Sequence, residues 1–203
     1  MLHEKIKQAT AHLHDQLEQI MFVGQIMDGS LTFDQYLRIL NVNYVIHAYV
    51  EESLFNGLSD ELKQKLDLKN RIKLPSLSQD LEEANIGIGI SKGAPRFIDL
   101  SNDASILGAM YVLEGATLGG SVIVKRLKTN AQLIPHNLNY HYYQVYGDQL
   151  GEKWKQFLTS LNTIPEAEHQ AAITSAIKMF EHMAEVGSTT KKVTVILTPP
   201  EIS

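Results

Sequence analysis

Apolar side chains recur at helical spacing along almost the whole chain, and no stretch alternates as a sheet would require. Leu2, Ile6, Leu13, Leu17 and Ile20 stand three, four or seven residues apart, the pattern of one buried helical stripe. Thr32 and Gln35 have capping-box spacing and open a second helix to about Leu54. Tyr36, Ile39, Leu40, Tyr44, Ile46 and Val50 form its buried stripe. Residues 58–66 read as a short polar helix capped by Ser59 or Asp60. Pro75 suits the first turn of another, through about Asn85. A long helix begins near Asn102 or Asp103 and runs to about Thr129. Further helices fall at 149–161 and from Pro165 to about Val186, where Gly187 ends the last. The main loop lies at residues 87–95. These elements predict an all-α chain, a multi-helical single domain over residues 1–187 with seven to nine helices. Its packing is expected to be more globin-like than that of a regular bundle. Residues 188–203 form a C-terminal tail with strand propensity from Lys192 to Leu197.

Composition narrows the function. A chain of 203 residues can bury one sizeable core. It has no cysteine, which excludes a disulfide framework, a thiolate-held zinc or iron–sulfur cluster and a cysteine nucleophile. Lys+Arg number 18 against 23 Asp+Glu, a net charge of −5. That balance argues against bulk nucleic-acid binding, which needs a basic face. No apolar run reaches the roughly 18 residues of a membrane span. The N-terminal segment is charged and lacks the apolar core of a signal peptide. A cytoplasmic protein with no membrane span and no nucleic-acid partner is expected.

Two segments could carry chemistry. Lys7, Thr10, His14 and Glu18 are spaced by three, four and four residues and fall along one helical face. His14 and Glu18, at i and i+4, can hydrogen-bond, which leaves the second ring nitrogen for a metal. An ordinary surface pair has the same spacing. The second segment runs from Leu107 to Val122 and contains Gly108, Gly115, Gly119 and Gly120. Each glycine inside a helix costs about 1 kcal/mol relative to alanine. Gly108, Gly115 and Gly119 share a face with Tyr111, and such a face admits either another backbone or a flat ligand. It is no nucleotide fingerprint, because the G-x-G-x-x-G order and a Gly-Lys-Ser/Thr are both missing.

Together these segments resemble haem (heme) oxygenases, above all the bacterial biliverdin-producing type associated with phytochromes. The matching residues are Ile6-Lys7-x-x-Thr10-x-x-x-His14-x-x-x-Glu18 and Tyr111-Val112-Leu113-Glu114-Gly115-Ala116-Thr117-Leu118-Gly119-Gly120, with a weaker match at Tyr142-Tyr143-x-x-Tyr146-Gly147. The resemblance implies that haem is both cofactor and substrate, opened with O₂ and electrons to biliverdin, CO and Fe²⁺. His14 would be the proximal iron ligand, Glu18 its orienting partner, and Lys7 and Tyr111 the propionate anchors. Lys7 is about 10 Å along the helix from His14, near the iron-to-propionate distance. Thr10 belongs to the same cofactor-binding motif. Gly115 and Gly119 would lie over the distal face, and Phe180 would contact the macrocycle. Animal members carry an aspartate just after the first distal glycine, where this chain has Ala116. Thr117 is then the side chain left to contribute to the proton route. The implied partners are an electron donor such as ferredoxin or a reductase, and a phytochrome as biliverdin acceptor.

Other chemistries of similar helical architecture fit less well. Thiaminase-type enzymes use a cysteine nucleophile, which this chain lacks. Di-iron bundles want two Glu-x-x-His pairs, and only Glu166-x-x-His169 is present. A non-enzymatic haem-binding or haem-storage protein of the same fold remains the competing expectation. His47, His169, His182 and the Tyr/His-rich segment from His136 to Tyr146 are expected to be packing residues.

Overall fold

A computed structural model describes residues 1–86 and 95–189. Nine α-helices appear among them: α1 Leu2–Ile20, α2 Val23–Asp28, α3 Phe33–Gly57, α4 Asp60–Leu66, α5 Leu74–Glu83, α6 Asp103–Gly115, α7 Gly120–Lys128, α8 Leu150–Leu161 and α9 His169–Thr189. Short 3₁₀ turns join several of them, and no strand occurs among the described residues. The all-α expectation holds. Residues 87–94 of the expected loop, and 190–203 of the tail, lie outside the described residues. The capping box closes α3 as its spacing predicts. Gln35 N donates to Thr32 Oγ1 at 3.2 Å, and Thr32 N to Gln35 Oε1 at 2.9 Å.

The centre of the molecule is α6. Apart from Tyr111 and its ends, α6 is buried on every side, as suits a helix apolar all round. It packs most extensively on α9, and Gly108 makes that possible. A Cβ at Gly108 would run into the carbonyl group of Ala172 on α9. Asn102, the N-cap of α6, donates to Glu168 at 3.2 Å, just before α9. The two helices therefore start at the same end and run the same way.

Helix α1 lies on α9 in the same direction. Lys5 meets Glu166 and His169 at 2.9 and 3.2 Å. His14 lies against the Phe180 ring, with centroids 6.2 Å apart. Ile20 lies where a Cβ on Gly187 would sit, 2.5 Å from Ile20 Cγ2. Gly187 thus serves close helix packing, and α9 continues past it to Thr189 instead of ending there. A second apolar cluster, including Leu31, Tyr36, Leu40, Leu77, Leu81, Leu127 and Tyr142, joins α3, α5 and α7.

The expected helix from 103 to about 129 is broken. Its last α-type bond joins Ala116 N to Val112 O at 3.0 Å. Thr117, Leu118 and Gly120 then donate three residues back, to Glu114, Gly115 and Thr117. The Thr117 hydroxyl also donates to the Glu114 carbonyl at 2.7 Å. These tighter turns redirect the chain, and Gly119-Gly120 permit it. Residues 103–128 taken as one helix would be apolar enough to cross a membrane. The break leaves α6 with 13 residues, short of a span, and 56% of the apolar window is buried inside the protein.

Gly108→Ala must push α6 away from α9. It is expected to cost about 1–3 kcal/mol, measured by urea unfolding. Gly151, with no atom within 4 Å of an added Cβ, supplies the contrast. Gly151→Ala should leave stability unchanged or raise it by up to about 1 kcal/mol.

Candidate active site

Three helices sharing one direction set the site. From the Gly108–Ala172 contact, seven residues along α6 reach Gly115, about 10 Å on. Eight residues along α9 reach Phe180, about 12 Å on. Phe180 touches His14. His14 on α1 and Gly115 on α6 therefore come to about the same level along α9, on which both helices pack. Helices α1 and α6 make little direct contact with each other.

Lys7, His14 and Glu18 are exposed, and His14 makes no hydrogen bond among the described residues. Its Nδ1 is 3.7 Å from Glu18 and 3.9 Å from Asp15. The Glu18 contact is therefore electrostatic here, not the expected hydrogen bond. Thr10 does not join this line. It is 2% exposed and its hydroxyl donates to the Ile6 carbonyl at 2.9 Å. Ile6, Thr10, Leu13 and Leu17 form one stripe at helical spacing, so Thr10 sits on the packed side of the helix, off the exposed line of Lys7, His14 and Glu18.

On the opposite side, the glycines divide into two kinds. At Gly120 a Cβ would collide with the Tyr143 carbonyl, as at Gly108 with Ala172. At Gly115 it would meet only Trp154 Cη2, at 4.0 Å, and at Gly119 only the Ile123 side chain, from 3.3 Å. Gly108 and Gly120 are packing glycines that meet another backbone, whereas Gly115 and Gly119 meet only a side chain, loosely at Gly115 and closely at Gly119. Tyr111, one turn before Gly115, packs at a tilt against Trp154, with ring centroids 5.5 Å apart. Burial pushes its phenol pKa up, so the group is a neutral donor near neutral pH, and its hydroxyl has no hydrogen bond among the described residues. Lys7 and Tyr111 both lie toward the N-terminal ends of their helices relative to His14 and Gly115.

Beneath the glycine turn lies a charge network that sequence reasoning missed. The Glu114 carboxylate, 2% exposed, accepts from Arg71 Nη1 at 2.5 Å, Lys73 Nζ at 2.6 Å and the Tyr146 hydroxyl at 2.9 Å. Arg71 also donates to the carbonyls of Leu66 and Lys153 at 2.6 and 2.8 Å. The Lys73 amide donates to Glu51 at 2.9 Å, and Glu51 pairs with His47 at 2.9 Å. Burial opposes ionisation of Glu114, but Lys73 and Arg71 outweigh it and hold the carboxyl below the usual range. Burial likewise opposes the Lys73 charge, and Glu114 and Tyr146 outweigh it, so its pKa rises. The one sequence signal was three charges inside apolar runs, at Arg71-Ile72-Lys73-Leu74 and Leu113-Glu114. His141 pairs with Glu83 at 2.9 Å and His136 stacks on Phe33 at 3.4 Å, as packing residues do.

These residues fit a haem. An imidazole with no hydrogen bond among the described residues, a glycine backbone at about the same level, and a cation and a neutral phenol toward the N-terminal ends of the same helices make up the donor set that a haem would need. Clefts of about 480 Å³ beside Asn102 and about 290 Å³ beside Lys153 do not include His14. They are lined largely by polar residues, a poor match for a macrocycle.

Because the lowered Glu114 pKa is a folded-state property, the network's contribution is present above the unfolded carboxyl value near 4.5 and lost as pH falls through the folded one. Glu114→Gln strands two buried cations and is expected to cost about 3–5 kcal/mol at pH 7. The gap to the native protein should narrow in urea titrations as pH drops below about 4.5.

The heme oxygenase family profile matches residues 1–188. A heme oxygenase of Xanthomonas campestris pv. campestris is 28% identical over 156 residues, covering 76% of this chain and 89% of the relative. The NO- and CO-bound heme oxygenase from Neisseria meningitidis superposes with a TM-score of 0.68 over 98% of this chain and 99% of that one, at 19% identity. The fold and the family profile agree, and the chain belongs to the heme oxygenase family.

Proposed function

We propose that the space between α1 and the α6–α7 turn takes one haem and opens it to biliverdin, with release of CO and Fe²⁺. The observation that carries this reading is His14, without a hydrogen bond among the described residues, at about the level of Gly115, where no backbone stands within 4 Å of an added Cβ. Bound haem supplies a redox-active iron and the carbon that O₂ oxidises.

The chain's residues bind, orient and exclude. His14 offers Nε2 to the iron, since Nδ1 faces Glu18 and Asp15. An imidazole ligand would donate less electron density to the iron than a thiolate does. Phe180 packs edge-on against His14 and limits its tilt. Lys7 and Tyr111 anchor the propionates at one end, which fixes the rotation of the macrocycle and so the carbon attacked. Gly115 and Gly119 let the distal backbone approach closely enough to steer a small ligand to one edge. Thr117 already donates its hydroxyl to Glu114 O and can only accept further, so it can hold a water but not supply its own proton to that water. Exposed Ala116 and Gly119 leave solvent as the proton source. A one-electron carrier such as ferredoxin supplies reducing equivalents in the cytoplasm, and a phytochrome is the biliverdin acceptor.

Ala116 favours one second reading. Without a carboxyl there, a protein of this fold could bind haem and stop. Purified protein with haemin, O₂ and ascorbate separates the two. Loss of the Soret band with biliverdin in the extract supports turnover, and a persistent band supports storage. His14→Ala should abolish the native axial spectrum and turnover, with imidazole restoring the spectrum. Gly115→Ala should keep or raise the melting temperature but slow turnover about tenfold or more, because the new methyl stands where the macrocycle approaches. An unchanged haem spectrum in His14→Ala would remove the assignment.

A further inference from the structure

The contact between His141 and Glu83 does more than pack. Asp80 and Glu83 stand one turn apart at the end of α5 and share a face. The 138–144 segment lies across that face and brings His141 to it. His141 Nε2 is 2.9 Å from Glu83 Oε1. One donor atom each from Asp80, Glu83 and His141 all lie within 4.8 Å of one another. Asp80 is 1% exposed, and its two oxygens accept from the amides of His141 and Tyr142 at 2.7 and 2.9 Å. Glu83 accepts from the Asn139 amide and side chain at 2.9 and 2.6 Å. Those donors are neutral. Among the described residues the one ion pair to either carboxylate is that of Glu83 with His141. A buried carboxylate with no fixed cation calls for one, because buried charges are paired or coordinate metals.

A second observation points into the same corner. Tyr36 on α3 is 0% exposed, and its hydroxyl makes no hydrogen bond, a costly state for a buried donor. Burial raises the phenol pKa, Asp80 raises it next, and Glu83 adds to the rise, which places the ring beside both carboxylates. The ring also meets Tyr140, the residue before His141, edge-on with centroids 5.6 Å apart.

We propose that Asp80, Glu83 and His141 form a binding site for a divalent first-row transition cation, with Zn²⁺ the natural probe. One imidazole and two carboxylates are a donor set such ions accept, and a water completes the shell. The ion takes the place of the hydrogen between His141 Nε2 and Glu83. That hydrogen moves to Nδ1 or leaves to solvent as a proton, and the Nε2 lone pair goes to the metal. Each Asp80 oxygen keeps a second lone pair beside its amide bond. Bonds of about 2.0–2.2 Å require the widest-set donors to close by roughly 1 Å, and Glu83 and His141, both half-buried, have room to turn. The Tyr36 hydroxyl then donates to the metal-bound water. The site is separate from the proposed haem ligands but touches their support, because the Tyr143 carbonyl packs against Gly120. An ion here ties α5 to the segment on which the glycine turn rests.

The test titrates Zn²⁺ by calorimetry into the untagged, haem-free full chain carrying H14A. That change removes the exposed cluster of His14, Asp15 and Glu18, whose donor atoms are equally close. One ion should bind per chain, and the melting temperature should rise with zinc concentration, as mass action requires of an ion that binds the folded state. Adding H141A or E83Q should weaken binding about tenfold or more, since even an outer-shell partner is worth about 10–100-fold. E83Q keeps the side-chain size and remains informative if circular dichroism shows that H141A fails to fold. X-ray absorption at the zinc edge should show one imidazole among oxygen ligands. No zinc binding by the H14A chain, equal affinity in H14A and H14A/E83Q, or a spectrum with two or more imidazoles would each overturn the proposal.

Discussion

The buried Glu114 carboxylate is the interaction on which the arrangement depends. It accepts from Arg71, Lys73 and Tyr146, and those residues reach it from the 68–74 segment and the approach to α8. Arg71 extends the link to the ends of α4 and α8 through the Leu66 and Lys153 carbonyls. The Lys73 amide extends it to Glu51 on α3. Buried charges are tolerated only when each is paired and hydrogen-bonded, and breaking one pair strands the others. A position that so many elements must satisfy together has little freedom. Glu114 immediately precedes Gly115, so the network fixes where the distal backbone lies.

The glycines do two unrelated jobs within a few residues. Gly108 and Gly120 bring backbones together, against Ala172 and Tyr143. Gly115 has room for a Cβ, and Gly119 would need only a shift of the Ile123 side chain, and still neither carries one. A protein selected only for stability would gain about 0.5–1 kcal/mol from alanine at such a helical site. The cost is reasonable if another body must approach there. The close α6–α9 contact also sets the height of α6, and that height brings Gly115 level with His14. Packing at one glycine thereby positions the open face at another.

The helices and the His14 line were legible because both are local. A stripe at spacings of three and four, or a Thr-x-x-Gln cap, is decided within one or two turns. Thr10 shows the limit of that reasoning. Its spacing fits the polar line and the apolar stripe equally, and only the tertiary packing around α1 decides that it is buried. The break after Gly115 escaped for a related reason. An apolar run with paired glycines reads as one helix until the Thr117 hydroxyl and the anchored Glu114 draw the chain into tighter turns. The charge network was illegible because its members lie 41 and 43 residues apart. A lysine in an apolar run carries no label naming its partner.

Charge does different work at different depths in this chain. Inside, Arg71, Lys73 and Glu114 balance one another, add little to the outer field and serve to hold a shape. At the proposed ligand edge, exposed Lys7 meets solvent and can answer a propionate with little desolvation cost. On α7, three cations have no carboxylate partner among the described residues, in a chain whose total is negative. Composition therefore misleads when taken as a sum. A value of −5 describes the far field, while Lys125, Arg126 and Lys128, within a Debye length of one another at physiological salt, set the local field along α7. The same acidic majority that keeps polyanions away from most of the surface sharpens the contrast at this one face.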